Sequence, residues 1–393
     1  MGIYEKIGVN KVVNCIGEMT IIGGTRVDPR VMRAMTEASK SFCHMTELND
    51  RVGERIAEIT GAEAGMVTSG SAASMMMAGA ACIMKGTELE AIDIHYGMEN
   101  YPYENDEWQR LIWKLPDTNG LKNEFVTQKC HMSPYVNNFS LTGGKLVWVG
   151  SKEKCKLEDI EKAFNKRTAA VVHLYTFDVT QPKRGVLLED VIKVAHKHGV
   201  PVILDIASEC PPRSNLWKFP KMGVDLTCLS GGKGIKGPND TGLLFGRKDL
   251  IDLARLQFFP HRGVGRPCKV DRTSIIGLLT ALEIYISQDE EAEFKRWDEK
   301  VSRLTKAFKD TPNVRKIERV IQHSSPNLRL MIDEEGLGLT AKEVRRELMK
   351  GNPRILCGPH NWDTKDEIFI CVRELMDDEE KIVVDRLREI LSK

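Results

Sequence analysis

The sequence predicts an α/β protein in which a large domain with a mainly parallel sheet precedes a smaller α+β domain. Helix-like and strand-like segments alternate from about residue 52 onwards, which is typical of a parallel sheet with crossover helices. Several strand segments are continuously apolar, as expected when helices cover both faces of the sheet. The length of 393 residues is enough for two or three domains with a large buried core.

The large domain is predicted to begin with a helix at 51–59, because its apolar residues have helical spacing and Gly61 is a favoured C-cap. The apolar run 64–68 is the first strand, and it ends in Ser69-Gly70-Ser71, which precedes a helix at 72–84. Six further strands are predicted at 124–127, 145–149, 168–174, 201–206, 225–229 and 241–246, with helices at 157–164 and 188–198.

The second half of the chain has a different organisation. A long helical region spans 273–308 and breaks into two helices near Ser287. After it we predict strands at 315–322, 327–332, 354–356 and 368–372, and helices at 341–349 and 377–391. The expected domains are a segment of 1–50 that packs with the small domain, a large domain of 51–264 and a small domain of 265–393.

The stretch 98–123 interrupts the alternation, since it is polar, aromatic and punctuated by proline. A loop of this length in a compact domain is usually functional. We interpret it as an insertion into the large domain. Three roles are kept as alternatives for it: a lid, a subunit contact and a plain surface excursion.

Composition and charge exclude several functional classes. The 57 basic and 56 acidic side chains nearly cancel, so no overall field attracts nucleic acid or a membrane surface. No apolar run is long enough to span a bilayer, and the N-terminus lacks the layout of a signal peptide. The ten cysteines form no Cys-x-x-Cys pair, which indicates reduced, mostly buried thiols in a cytoplasmic protein and neither disulfides nor a metal site.

Three segments that follow predicted strands carry residues suited to chemistry. Ser69-Gly70-Ser71 precedes a helix and is suited to binding a phosphate, although serine is also a common N-cap. Asp205 ends an apolar strand at the edge where parallel sheets bind ligands, but it could also cap a helix or bind a metal. Lys233 lies in a glycine-rich loop between two apolar strands, which is an unusual place for a solubilising lysine.

His131 follows the strand at 124–127 and could stack on an aromatic ring, or it could simply precede a helix that begins at Ser133. A phosphate loop, a ring-stacking residue, an acid and a lysine are together what catalysis with pyridoxal 5′-phosphate (PLP) requires of a protein. The lysine forms a Schiff base with PLP, and the acid keeps the pyridine nitrogen protonated. Lys236, three residues after Lys233, is assigned an anion-binding role.

The order of these segments resembles the fold-type I superfamily of PLP-dependent enzymes. More narrowly, Ser230-Gly231-Gly232-Lys233, together with 237–242 and 265–270, resembles the selenocysteine synthase-like branch. Within that branch, the segments 13–20 and 352–355 are similar to the D-glucosaminate-6-phosphate ammonia-lyase group. The resemblance covers nearly the whole chain, with 98–123 as the main departure, and it implies a seven-stranded, mainly parallel sheet.

The resemblance implies a role for each candidate residue. Lys233 would carry the cofactor, Asp205 would face the pyridine nitrogen, and His131 would cover the ring face. Residues expected near the phosphate or the ring oxygen are Ser69, Gly70, Ser71, Ser208, Ser230 and Thr176. Residues expected to bind the carboxylate or phosphate of a substrate are Arg373, Arg354 and Arg266. Arg373 could instead pair with Glu374 or Asp377.

For the reaction, the resemblance implies removal of a Cα proton from an amino acid, with the amine of Lys233 as the base. It favours a lyase that eliminates the β-hydroxyl of a hydroxylated amino acid, with or without a phosphate group, to give a 2-keto acid and ammonia. A β-replacement transferase of the selenocysteine synthase type, an aminotransferase and a racemase remain alternatives. The cations expected near the site support an anionic substrate; they are Lys236, His261, Arg262, Arg266 and Lys269.

The expected partner is a small amino-acid substrate. Nucleic acid is not expected, because the net charge is near zero and no basic tRNA-binding module precedes the catalytic pattern. The resemblance also implies a homo-oligomer of at least two subunits.

Overall fold

The computed structural model describes residues 2–95, 107–359 and 366–393. Within these residues the chain divides into a large unit, residues 27–286, and a small unit, residues 1–26 with 287–393. The sequence had suggested divisions after residues 50 and 264. They differ because the segment that follows residue 264 contains an apolar helix whose side chains Ile275, Leu278 and Leu282 are buried in the core of the large unit.

The elements are numbered in chain order. The strands of the described residues are β1 (Val12–Cys15), β2 (Ala64–Thr68), β3 (Glu124–Gln128), β4 (Lys145–Val149), β5 (Thr168–Leu174), β6 (Val202–Asp205), β7 (Leu226–Ser230), β8 (Gly242–Gly246), β9 (Val314–Gln322), β10 (Ser325–Ile332), β11 (Arg354–Cys357) and β12 (Glu367–Ile370). The α-helices are α1 (Ile3–Lys6), α2 (Pro29–Ser39), α3 (Met45–Thr60), α4 (Ser71–Met84), α5 (Glu107–Ile112), α6 (Leu157–Ala163), α7 (Tyr175–Thr180), α8 (Leu188–Lys197), α9 (Asn215–Met222), α10 (Lys248–Gln257), α11 (Arg272–Ser287), α12 (Glu290–Phe308), α13 (Glu334–Leu337), α14 (Ala341–Met349) and α15 (Asp377–Leu391).

The sheet of the large unit has seven strands in the order β2-β8-β7-β6-β5-β3-β4. Neighbours from β4 to β7 are parallel, whereas β8 is antiparallel to both β7 and β2. Every residue of β3, β5 and β8 is buried, which explains why β5 and β8 are mostly apolar along their whole length. The mainly parallel sheet predicted from the sequence is therefore confirmed.

Helix α4 lies at the centre of the large unit. All of its residues except Ala72 are buried, and it contacts β5, β6, β7 and β8. Its composition of Ala, Met, Gly and Ser suits this position, because a helix that is apolar all round must be covered all round. In the large unit, helices α2, α5, α7, α9 and α10 were not predicted from the sequence.

The small unit contains two sheets of its own. Strands β12, β10 and β9 form an antiparallel sheet, and β1 pairs in parallel with β11. Buried residues from α12, α14 and α15 complete its core; examples are Val301, Phe308, Val344, Leu348, Val383 and Leu387. The pairing of β1 with β11 shows that residues 12–15 belong to this unit and not to the sheet of the large unit.

The predicted insertion at 98–123 is described only in part, since 98–106 lie outside the described residues. From 107 onwards it contains α5, and Ile112 and Leu115 are buried in the core of the large unit. This part of the insertion is therefore packed against the domain and is not merely a surface excursion.

The prediction that most cysteines are buried is confirmed. All ten cysteines are free thiols, and eight of them are buried, the exceptions being Cys43 and Cys268. No helix among the described residues is long and apolar enough to cross a membrane.

Candidate active site

Asp205 lies at the carboxyl end of β6, in register with Leu174 of β5 and Cys228 of β7. Its Oδ1 atom accepts a hydrogen bond from the backbone N–H of Ala207 at 3.0 Å and from the hydroxyl of Ser71 at 3.2 Å. Ser71 is the first residue of α4, 134 positions earlier in the chain. These bonds join the start of α4 to the end of a central strand, at the sheet edge where parallel sheets bind ligands.

The loop that follows β7 holds Lys233 close to this edge. The ammonium group of Lys233 donates a hydrogen bond to the hydroxyl of Ser208 at 2.7 Å, and Ser208 lies three residues after Asp205. The two strand-end loops also touch through their backbones, because a Cβ atom on Gly234 would lie 1.8 Å from the carbonyl oxygen of Cys210. Only glycine allows this approach, which explains part of the glycine content of the loop.

The electrostatics of Asp205 follow from its surroundings. Burial raises the pKa of this carboxyl, and the hydrogen bond from Ala207, the charge of Lys233 and the hydrogen bond from Ser71 offset the effect only in part. Both hydrogen bonds go to Oδ1, so among the described residues nothing donates to Oδ2. A cationic N–H group facing Oδ2 would satisfy the carboxylate and hold it in its charged form.

The N-terminus of α4 is suited to binding an anion. Its N-cap is Gly70, with φ of 103°, and this residue has no side chain that could cap the helix. A plain serine N-cap, the alternative left open by the sequence, is therefore wrong. Gly242 of β8 packs directly on Gly70, since a Cβ atom there would lie 2.4 Å from the carbonyl carbon of Gly70. Ser69 and Ser230 are half-buried at the ends of β2 and β7. The uncapped N–H groups and the positive end of the helix dipole fit a phosphate.

His131 lies in a buried cluster of its own. Its side chain is only 2% exposed, and one face of the ring stacks on Phe177 with centroids 4.8 Å apart and planes 9° apart. A Cβ atom on Gly185 would lie 2.2 Å from its Nε2 atom. Burial, followed by the nearby His173, lowers the pKa of His131 to about 4, so the imidazole is neutral.

A hydrogen-bond network surrounds this ring. The amide group of Gln128 is oriented by Val186, which donates to Oε1 at 2.7 Å and accepts from Nε2 at 2.9 Å. The same Nε2 lies 3.5 Å from Nδ1 of His131 and 3.4 Å from Nδ1 of His173, while Nε2 of His173 bonds to Asp178 at 2.8 Å. The ligand atoms of the two histidines and Asp178 lie within 4.8 Å of one another, which is close enough for a metal site. The amide nitrogen of Gln128 lies beside the Nδ1 atoms of both histidines.

The three arginines proposed to bind a substrate have different surroundings. Arg266 is exposed in a short 3₁₀ turn, with its guanidinium carbon 5.4 Å from the ring centroid of Phe259. Arg354 is the exposed first residue of β11 in the small unit. Arg373, also in the small unit, is buried and pairs with Glu18, not with Glu374 or Asp377 as the sequence had suggested.

His261, which the sequence suggested as a cation near the site, does not have the surroundings of one. His261 is buried, its Nε2 atom bonds to the carbonyl oxygen of Ile94 at 2.8 Å, and burial lowers its pKa.

The structure brings together Ser71, Asp205, Ser208 and Lys233, whereas His131 has other neighbours. Sequence reasoning missed Glu18 and the His173–Asp178 pair; a lone histidine inside the apolar run of β5 was the available signal for the second of these.

Comparisons with known proteins show which families this chain is similar to. The family model of L-seryl-tRNA selenium transferase matches residues 137–296. The chain is 30% identical to a 5′-C-glycyluridine monooxygenase-decarboxylase from Streptomyces sp, over 99% of this chain and 92% of the relative. It is 28% identical to the D-glucosaminate-6-phosphate ammonia lyase of Salmonella typhimurium, over 99% of this chain and 97% of the relative.

Solved structures give the same result. The structure of a D-glucosaminate-6-phosphate ammonia-lyase superposes with a TM-score of 0.82 and 26% identity, covering 100% of this chain and 98% of that one. The serine palmitoyltransferase of Sphingomonas wittichii shares the fold at a TM-score of 0.57 and 12% identity, covering 97% of this chain and 87% of that one.

A lysine at a strand-end loop, an acid with a free oxygen on the neighbouring strand and an uncapped helix N-terminus fit the amine-reactive, basic and phosphate groups of PLP. Fold and site together define a fold-type I PLP-dependent enzyme. The chain belongs to the selenocysteine synthase-like family of these enzymes.

Proposed function

We propose that this enzyme is a lyase that eliminates the β-hydroxyl of a hydroxylated 2-amino acid, with or without a phosphate group, to give a 2-keto acid and ammonia. The observation that carries the proposal is the contact of Asp205 with Ser71 and of Lys233 with Ser208 at one sheet edge. Similarity to the Salmonella ammonia lyase along 99% of the chain supports the type of reaction.

In this proposal each residue has a defined task. Lys233 carries the cofactor, and its released amine removes the Cα proton of the substrate while Ser208 orients the nitrogen. Asp205 holds a proton on the pyridine nitrogen through Oδ2, because Oδ1 is already engaged by Ala207 and Ser71. Bound PLP supplies an electron sink for the developing carbanion. The N-terminus of α4, with Ser69, Gly70 and Ser71, binds the cofactor phosphate, and Ser230 completes that site.

The remaining assignments are also proposals. Arg373 binds the substrate carboxylate, with Arg354 as the second candidate, and the exposed Arg266 binds a phosphate of the substrate or of a neighbouring subunit's cofactor. His131 is the residue that we propose to cover the cofactor ring. We further propose a homo-oligomer of at least two subunits, to be measured by light scattering.

The direct test offers a panel of 2-amino-3-hydroxy acids and 2-amino sugar acids, each with and without phosphate, to the PLP-loaded enzyme. Ammonia and 2-keto acid are measured together, and equal amounts of both are expected from at least one compound. Release of neither from the whole panel would refute the proposal. A Lys233→Ala variant is the control for turnover that does not depend on the site.

A second candidate function is favoured by the 30% identity to the Streptomyces protein, whose name states monooxygenase and decarboxylase activities. The same incubations should therefore be followed for oxygen consumption and carbon dioxide release. Carbon dioxide with oxygen uptake and without a keto acid would favour this candidate. The match to the L-seryl-tRNA selenium transferase model adds a β-replacement transferase, which binding of seryl-tRNA to the purified protein would support.

A further inference from the structure

Gln128, the last residue of β3, has a buried side-chain amide that only one orientation satisfies. The backbone N–H of Val186 donates to Oε1 at 2.7 Å, and Nε2 donates to the carbonyl oxygen of Val186 at 2.9 Å. If the amide were turned over, two hydrogen bonds would become two repulsive contacts. Gln128 is only 2% exposed, so water does not compensate for such a loss. Val186 therefore fixes the direction in which the amide N–H groups point.

The second N–H group of this amide lies between two histidines. Nε2 of Gln128 is 3.5 Å from Nδ1 of His131 and 3.4 Å from Nδ1 of His173. Two long and nearly equal distances are those of one N–H group shared between two acceptors. An imidazole nitrogen accepts a hydrogen bond only when it carries no proton. Both Nδ1 atoms are therefore unprotonated.

Asp178 gives an independent reading of the proton on His173. Its Oδ1 atom lies 2.8 Å from Nε2 of His173, and because an ionised carboxylate only accepts, Nε2 carries the proton. The other oxygen accepts from the backbone N–H of Leu188 at 2.9 Å, which holds the carboxylate in place. A proton on Nε2 leaves the lone pair on Nδ1, so Asp178 and Gln128 require the same tautomer of His173.

For His131, Gln128 is the group that decides the tautomer. The other close neighbours of the ring are Phe177, which stacks on one face, and Gly185, which lies beside Nε2, and neither has a polar side chain. With Nδ1 unprotonated, the single proton of a neutral ring is on Nε2. A second proton would place an N–H group against that of Gln128, so the contact also disfavours the imidazolium. Burial, which lowers the pKa of His131 to about 4, acts in the same direction.

The charge of this ring is important if it lies on the cofactor. In the proposed function Asp205 keeps the pyridine nitrogen of PLP protonated, so the cofactor ring is cationic. An imidazolium stacked on it would place two positive rings in contact and would oppose that protonation. A neutral imidazole instead offers the electron-rich face of an aromatic ring, which attracts a cation.

We propose that Gln128 is a positioning residue that holds His131 as the neutral tautomer with its proton on Nε2, so that His131 presents an uncharged ring to the cofactor. The inference rests on the proposed function in one respect, since it takes His131 to cover the cofactor ring. The tautomer itself follows from contacts within the large unit.

The test uses the PLP-loaded enzyme with its histidines labelled with ¹⁵N at Nδ1 only, as a microcrystalline solid near neutral pH. Solid-state ¹⁵N NMR separates protonated from unprotonated ring nitrogens, and the signal that is absent from His131→Gln belongs to His131. The wild type is expected to show an unprotonated Nδ1 for His131. A protonated Nδ1 in the wild type would overturn the inference.

In Gln128→Glu the group that faces Nδ1 of His131 accepts a hydrogen bond and no longer donates one. The His131 signal should therefore move to the position of a protonated nitrogen. Gln128→Met keeps the length of the side chain but has no N–H group, so a protonated population should appear, which covers the case in which Gln128→Glu unfolds. Gln181→Glu is the matched control, because it introduces the same charge at a half-buried position beside Arg184, and it should leave the His131 signal unchanged.

An unchanged His131 signal in folded Gln128→Glu or Gln128→Met also contradicts the role of Gln128. Spectra with and without PLP separate this inference from the proposed function. If removal of PLP leaves the His131 signal where it was, His131 does not cover the cofactor ring, and the role of Gln128 in setting the tautomer stands. If the signal moves with PLP but reports a protonated Nδ1, the reverse is true.

Discussion

Gly234 offers a test of how the Lys233 loop is held. A Cβ atom at this position would lie 1.8 Å from the carbonyl oxygen of Cys210, whereas real Cβ contacts are essentially never under 3.0 Å. In Gly234→Ala one of the two loops must therefore move by about 1.2 Å, the difference between these distances. Overpacking of this kind costs about 1–3 kcal/mol.

The movement should have a local consequence as well as a global one. Gly234 adjoins Lys233, and Cys210 lies two residues after Ser208, so the shift should separate the amine from the hydroxyl that it now bonds at 2.7 Å. We expect a lower Tm, by roughly 2–4 °C for each kcal/mol lost, and weaker retention of PLP. The first is measured by thermal unfolding and the second by the absorbance of bound PLP after dialysis.

Gly199→Ala is the matched control. Gly199 is exposed after α8, has φ of 65° and would have no neighbour within 4 Å of a Cβ atom, so its replacement introduces only backbone strain of about 1–2 kcal/mol. This variant should also unfold earlier but should retain PLP. If Gly234→Ala retains PLP and unfolds like the wild type, the close packing of the two loops is wrong.

Three further predictions concern the charged and titrating groups. Lys233→Ala should abolish covalent trapping of PLP by borohydride and Lys236→Ala should not; the opposite result, read by mass spectrometry, would transfer the role to Lys236. Asp205→Asn should lower kcat by roughly 100-fold or more with an unchanged Tm, because a neutral amide cannot hold the pyridine nitrogen protonated; near-normal turnover would contradict that role. Burial lowers the pKa of His131 from 6.5 to about 4, so between these pH values the unfolded chain binds more protons than the folded one. The free energy of unfolding should therefore be highest above pH 6.5 and should fall as the pH drops towards 4, by at most about 3 kcal/mol. His131→Gln should flatten this part of the profile of denaturant midpoint against pH, and an unchanged profile would show that another group is responsible.

Much of the fold could be predicted because the signals are local. Apolar runs bounded by glycine, serine and charged residues marked all seven strands of the large sheet, and β2, β4 and β5 begin and end where the sequence placed them. Helices α9 and α10 were missed, since the proline inside α9 and the charged surface of α10 weaken the helical pattern. The domain boundaries were displaced because contacts between distant segments, and not composition, decide which unit a helix joins.

Part of the site was predictable for the same reason. Asp205 and Lys233 each follow a strand that is recognisable by itself, and parallel strands bring their carboxyl ends to one edge. The partner of Arg373 was not predictable, because Glu18 is 355 residues away, and neighbouring acids in sequence were the only guide. The burial of His131 against Phe177 and Gly185 likewise depends on a loop that follows a different strand.

The sequence by itself determined the order of the strands along the chain and which of them end in a lysine, an acid or a phosphate-binding turn, because these properties depend on residues within one segment. Only the tertiary structure decided which segments meet: Ser71 with Asp205, Ser208 with Lys233, and Glu18 with Arg373. The physical reason is that a hydrogen bond or ion pair depends on distances of about 3 Å between atoms, and such distances between remote segments are set by the packing of the whole unit.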